Sequence, residues 1–272
     1  MKKYISAIAI VLAVALVAVA FASCRSKPDV TPDNGVTESG STAPQSTSDK
    51  VYKIVADNSF APFEYLDADS NTYVGVDMDI LAAIAADQGF KYDIDNCGWD
   101  AALASLSASQ CDGMIAGMTI TEERQKTFDF SAPYFEDGQT LFVAKDSSIA
   151  TLEDLQGKKV AVKTGTMGAE YCESIKDQYG FEIESFKGSD EVYAAVSTGN
   201  VDAGVEDFSV INFKISDVGL GFKLLGEKVN VKPYGFATPK GANPELIEMF
   251  NKGLENIKAN GTYAEILAKY GM

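Results

Sequence analysis

The stretch Leu106-Ser107-Ala108-Ser109-Gln110-Cys111-Asp112-Gly113 returns about ninety residues on as Val196-Ser197-Thr198-Gly199-Asn200-Val201-Asp202-Ala203. Each copy reads as a helix end, a polar turn, and an aspartate leading into a short apolar strand. A spacing of that size is too long for a solenoid unit and suits two similar α/β lobes. Outward from the first copy, short β-rich runs alternate with helical periodicity, the pattern of an α/β architecture. Val51-Tyr52-Lys53-Ile54-Val55-Ala56 is strand-like, Tyr92-Asp93-Ile94 returns as a strand, and Met114-Ile115-Ala116 follows. Asp77 is placed to cap a helix with Ile80, Leu81 and Ile84 on one face and Gly89 as its stop. Asp100 opens another helix through Leu103 and Leu106. Near the C-terminus Asn243-Pro244-Glu245 starts a helix whose buried stripe is Leu246, Phe250, Leu254 and Ile257. Thr262 with Glu265 forms a capping box for the last helix.

Ligands of such folds bind outside the carboxyl ends of the strands. Applied here, the rule points at Ala116 to Thr119 in one lobe and Glu206-Asp207 in the other. The segment Ala116-Gly117-Met118-Thr119-Ile120-Thr121-Glu122-Glu123-Arg124 is the most informative. A strand ends, small residues expose backbone N–H and C=O groups, and a helix begins at Thr121, where Glu122 and Glu123 suit its dipole. An arginine follows. An amino-acid zwitterion needs this combination, because its carboxylate takes a guanidinium fork plus backbone or hydroxyl donors, and its ammonium takes carbonyls and a carboxylate. Arg124 supplies the fork, Thr119 and nearby N–H groups the donors. The rival reading is a helix N-terminus with a surface arginine.

The chain has 272 residues, with 23 Lys+Arg against 39 Asp+Glu and a formal charge of −16. Nucleic acid is an unsuitable partner for such a chain, since that binding neutralises phosphates with clustered cations. There is no histidine, which removes the usual general base, the Ser-His and Cys-His nucleophile pairs and the commonest zinc ligand. No metal spacing joins the cysteines, and no cofactor is expected. Lys2 and Lys3 precede an apolar run from Ile5 to Phe21, followed by Ala22, Ser23 and Cys24. This reads as an export signal, with a single transmembrane anchor as its rival. Phe21-Ala22-Ser23-Cys24 resembles a bacterial lipobox, with Phe21 in place of the usual Leu. That resemblance implies a signal peptide over 1–24, acylated Cys24 as the mature N-terminus, and an extracytoplasmic lipoprotein held to the membrane by its lipid. Residues 25–50 are rich in Ser, Thr, Pro, Asp and Gly, and read as a flexible leash that buries too little to offset its ordering entropy. In an exported protein Cys97 and Cys111 can pair, leaving Cys172 free; equally, all three serve as small buried apolar residues.

Several ordered motifs add a family likeness. They are Ala61-Pro62-Phe63-Glu64, Gly75-Val76-Asp77-Met78-Asp79, the segment through Arg124, and Asp129-Phe130-Ser131-Ala132-Pro133-Tyr134. Asp154 through Thr166 and Asn260-Gly261-Thr262-Tyr263 continue the series. From about Val51 to Tyr270 the chain resembles the polar amino-acid-binding proteins of bacterial ABC importers, extracellular solute-binding protein family 3, and within it the glutamine receptors. The resemblance implies a two-lobed α/β fold of the type II periplasmic-binding-protein kind, with a cleft between lobes joined by two hinge strands. Lobe one would be 51–133 plus 234–272 and lobe two 134–233, with crossings near Tyr134–Gly138 and Val231–Gly235. It implies Asp57 against the ligand ammonium or side chain, Phe60 and Trp99 as a sandwich, and Ala116, Gly117, Thr119 and Arg124 at the α-carboxylate and α-ammonium. It implies Lys163 at the side-chain amide and Asp207 at the α-ammonium. Glu206 stands where the glutamine receptor carries histidine, and Met167 where it carries glycine; both border the ligand.

The residues favour glutamine first, since Lys163 suits an amide oxygen while Asp57 and Glu206 suit its NH2. Arginine, lysine and histidine come next, acidic amino acids last. The implied partners are the free amino acid and the permease and ATPase subunits of an importer, with the receptor itself a monomer and not an enzyme. Three rivals stand beside this reading. Carboxylate-pair hydrolysis at Glu206-Asp207 is disfavoured, because adjacent strand residues point apart. A periplasmic cyclohexadienyl-type dehydratase on the same fold needs a poised acid or base, for which Glu206 is the candidate. A sensor domain is the third.

Overall fold

The computed structural model describes residues 50–272. The signal segment, Cys24 and almost all of the leash lie outside the described residues. Two five-stranded sheets dominate. The first has the strand order Lys91–Asn96, Val51–Ala56, Gly113–Met114, Ala237–Pro239, Phe128–Phe130. The second runs Glu182–Phe186, Lys159–Lys163, Ala203–Asp207, Phe135–Ala144, Phe222–Tyr234. In each the first three strands are parallel and the rest join antiparallel. A three-stranded hairpin sheet, Ser59–Phe60, Glu64–Asp67 and Thr72–Val74, sits beside the first.

Both faces of each large sheet are covered, so their inner strands are apolar on both sides. Ile54 and Ile115 pack on one face with Ile80, Ile84, Leu246, Phe250 and Leu254. Val55, Met114 and Ala116 face the other way onto Ala102 and Leu106. The second sheet repeats the division, with Val160, Val162, Ala203 and Val205 on one face, and Ala161 and Phe142 against Val192 and Val196 on the other.

The sequence echo has a structural counterpart. The helices Trp99–Ser107 and Ser189–Ser197 end just before the two aspartates. The Asp112 amide donates to Lys53 O at 2.7 Å, and its carboxylate accepts from Lys53 N at 2.8 Å. Asp202 does the same with Lys159, at 2.9 Å in both directions. Each aspartate thus clips a parallel strand onto the start of its neighbour.

Three helix starts differ from the sequence expectation. The helix Val76–Gln88 begins one residue before Asp77, with Gly75 as its cap, and Asp77 turns into the core instead. Gly89, in the left-handed region, ends it as read. Trp99–Ser107 is capped by Gly98, so Asp100 lies inside the first turn. In the last helix, Thr262–Lys269, Gly261 is the cap and Thr262 makes no capping bond. The starts at Thr121 and Asn243-Pro244 stand where the sequence puts them. Cys97, Cys111 and Cys172 are free thiols.

The long strands Phe135–Ala144 and Phe222–Tyr234 connect the two sheets as one antiparallel ribbon. They pair near the first sheet at Tyr234 with Phe135 and Pro233 with Glu136, and far into the second at Phe222 with Ala144. Register shifts between Leu225 and Lys232 bend the ribbon. Among the described residues no helix is long and apolar enough to cross a membrane.

Candidate functional site

A cavity lies where the strand ends of the two sheets face each other. From the first sheet and its connections come Asp57, Phe60, Trp99, Ala116, Gly117, Thr119 and Arg124; from the second come Lys163, Met167, Glu206 and Asp207. All eleven residues singled out in the sequence line this one space, and Thr166 joins them. Thr166 accepts from Ala169 N at 3.3 Å and donates to Lys163 O at 2.8 Å, capping the helix Met167–Tyr179. Its signal was available, as a threonine opening a helix between Lys163 and Met167.

Arg124 is carried by the short helix Glu122–Thr127, capped by the Thr121 hydroxyl, which accepts from Arg124 N at 3.1 Å. Its guanidinium donates to Thr119 O at 2.9 Å and reaches across to Gly165 O at 3.1 Å. It also lies 5.4 Å from the Trp99 ring centre. Among the described residues no carboxylate stands within ion-pair distance of it. Burial lowers its pKa, while the more distant carboxylates of Glu170 and Asp207 pull the other way. A half-buried guanidinium facing a cavity with no carboxylate paired to it is an anion-binding arrangement.

Asp57 and Lys163 form a buried ion pair across the cleft, with 2% and 4% of their surfaces exposed. The lysine also sits 5.3 Å and 5.8 Å from the Phe60 and Trp99 rings and 3.4 Å from the Ser189 hydroxyl. Burial pulls its pKa down, and the charges of Asp57 and Glu206 more than offset that, leaving it above the ordinary lysine value. Glu206 accepts from the Tyr193 hydroxyl at 2.9 Å and from the Asp207 amide at 3.0 Å.

Asp207 accepts from Gln139 Nε2 at 3.0 Å and from the Tyr234 hydroxyl. These two supports come from the two strands of the connecting ribbon, and neither was found from the sequence. Burial, then the neighbouring charges of Glu206 and Asp137, push the Asp207 pKa up to about 7. A cation placed beside it would restore its charge. Among the described residues no cluster of His, Cys, Asp and Glu has the arrangement to hold a metal ion.

The model of the bacterial extracellular solute-binding proteins, family 3, matches residues 52–272, essentially the whole body that frames this cavity. The chain belongs to that family. Among its family 3 relatives, a probable histidine-binding protein of Neisseria gonorrhoeae is 31% identical over 99% of this chain and 96% of its own. The ABC transporter glutamine-binding protein GlnH of Bacillus subtilis is 34% identical over 72% of each. Among solved structures, an ancestral arginine-binding protein bound to glutamine superimposes with a TM-score of 0.74 at 38% identity, covering 81% of this chain and 97% of that one. As a family 3 protein the chain has the two-lobed architecture of these binding proteins, with the cavity between the sheets.

Proposed function

We propose that this chain is the extracytoplasmic receptor of an ABC importer, closing two lobes around one polar amino acid, glutamine before any other. The lobes are taken as 51–133 with 234–272, and 134–233, turning about the ribbon. One observation carries the reading: the Arg124 guanidinium and the Asp207 carboxyl reach the same cavity from different sheets. A zwitterion leaves water at tolerable cost only when both its charges are met. Arg124 meets the carboxylate and Asp207 the ammonium, while Phe60 and Trp99 cover the apolar stem. The relatives named for histidine, arginine and glutamine support an amino-acid ligand and an importer with permease and ATPase subunits.

Glutamine is preferred because the far end of the cavity offers a cation and two acids together. Its amide oxygen accepts from Lys163 and its NH2 donates to Asp57 or Glu206. Lys163 is engaged with Asp57, so Glu206 carries the surplus charge, which places basic amino acids second and acidic ones last. Every cleft carboxyl is already held by a donor or a cation, which favours binding over chemistry and stands against the dehydratase reading. Acylation at Cys24 would hold a monomeric receptor at the membrane; loss of membrane association in Cys24→Ser tests it.

A thermal-shift screen against the twenty amino acids tests the ligand, since binding to the folded state raises stability by mass action. Glutamine should give the largest rise. A larger rise with arginine or histidine moves the preference to basic ligands. No rise with any of the twenty, or turnover of arogenate or prephenate, overturns the reading.

A further inference from the structure

Beneath the cavity wall lies a second layer of acids. Glu64 and Asp77 are fully buried, and their carboxyls lie close enough to act on each other directly. Read as two carboxylates they are badly served. Neither Glu64 oxygen nor Asp77 Oδ1 has a donor among the described residues. Asp77 Oδ2, by contrast, accepts from Gly117 N and from the Tyr134 hydroxyl, both at 2.8 Å. Two buried anions in contact cannot both stay ionised, whereas one proton between them supplies the missing donor and removes a charge.

The surroundings assign that proton to Glu64. Burial, then the charges of Asp77 and Asp57, raise the Glu64 pKa well above the usual carboxylate range, with Lys163 alone opposing. Burial raises Asp77 less, to about 6, because the Gly117 amide and the Tyr134 hydroxyl donate to it. Tyr263, whose hydroxyl donates to Tyr134 O, completes the titratable groups facing the pair.

Gly117 connects this layer to the cavity. Its φ is +53°, in the left-handed region, and the Phe60 ring lies against its α-carbon where a side chain would stand. With its N–H drawn down to Asp77, the trans peptide turns the Ala116 carbonyl oxygen away from the acids, at a residue that lines the cavity. The direction of a backbone acceptor at the cavity lining is thus set from below.

We infer that Glu64 is a positioning residue: it keeps its proton and donates a hydrogen bond to Asp77, which holds the Gly117 amide and thereby aims the Ala116 carbonyl into the binding cleft. The inference rests on the reading of that cleft as an amino-acid site, and one arm of its test does not.

In that arm, infrared difference spectroscopy of the whole chain at neutral pH looks for the carbonyl band of a protonated carboxyl group that Glu64→Gln removes. Absence of the band, or its persistence in the variant, overturns the inference whatever the ligand. The second arm measures L-glutamine binding by calorimetry across pH. Glu64→Gln, whose amide still donates to Asp77, should stay within about threefold of the parent and keep that affinity as pH rises. Glu64→Leu should bind at least about tenfold more weakly. A loss in Glu64→Gln equal to that in Glu64→Leu, or none in Glu64→Leu, overturns the positioning role. A parent that ignores glutamine sinks the ligand reading, and the infrared result still decides this one.

Discussion

Arg124 has two carbonyl partners and an aromatic face, and no carboxylate within ion-pair distance among the described residues. On the proposed reading it is the ligand's carboxylate that completes it. Arg124→Ala then leaves that carboxylate buried and unpaired, at a cost of about 3–5 kcal/mol in binding; near-parent affinity in calorimetry would remove Arg124 from the site. Asp207 makes the complementary prediction. Its carboxyl, raised to about 7, is largely protonated at pH 6, and an arriving ammonium favours the ionised form. Binding at pH 6 should release a proton, and affinity should fall by up to about tenfold per pH unit below 7. Calorimetry in buffers of different ionisation enthalpy reads the proton directly, and an affinity independent of pH from 5 to 8 contradicts it. At this scale the sequence was highly informative, because strand ends and a helix start are local signals that fix where Ala116, Thr119 and Arg124 stand. It was silent on Gln139 and Tyr234, which hold Asp207 from strands 68 and 27 residues away. Such partners are chosen by folding, and nothing beside Asp207 in the chain announces them.

The helix Met167–Tyr179 begins at the cavity wall, and Thr166 both caps it and ties down Lys163 O. Removing the cap in Thr166→Ala should cost about 1 kcal/mol of folding stability, read from urea unfolding, and weaken ligand binding through the displaced strand end. An unchanged unfolding midpoint would show that the cap contributes nothing. Helix existence was legible from apolar periodicity, as in the stripe Leu246, Phe250, Leu254 and Ile257, every member of which is buried. The exact starts were less so. Asp77 has the chemistry of a cap, yet the Gly117 amide and Tyr134 hydroxyl draw it inward and Gly75 takes the terminal position. The competition between a local cap and a buried partner is decided by tertiary contacts that a linear pattern does not contain.

For the molecule as a whole, the buried acids set the pH dependence of stability. Glu64, Asp77 and Asp207 all have pKa values raised in the fold, the last two to about 6 and about 7. At these three groups the folded state therefore holds more protons than the unfolded one from pH ~4 up through 7. Their stabilisation is full below that pH and is lost as pH rises through 6 and 7. The thermal midpoint without ligand should be higher at pH 5 than at pH 8, and Asp207→Asn should flatten the upper part of the decline; a midpoint that climbs from pH 5 to pH 8 refutes the sign. The echo around Asp112 and Asp202 made the two-sheet plan readable, since each aspartate clips its own sheet. The pairing of Phe135–Ala144 with Phe222–Tyr234 was not readable as a ribbon, because about a hundred residues separate partners such as Phe135 and Tyr234 and charged residues break the apolar pattern of the second strand. That ribbon works mechanically as a leaf spring. Its two leaves are laced together, so neither flexes alone, and one leaf offers Gln139 while the other offers Tyr234 to the same carboxyl. Gln139 stands opposite Asp207 within one sheet, so on the proposed hinge reading a twist of the spring shifts chiefly the Tyr234 grip, and the acid's appetite for a cation is geared to that hydroxyl.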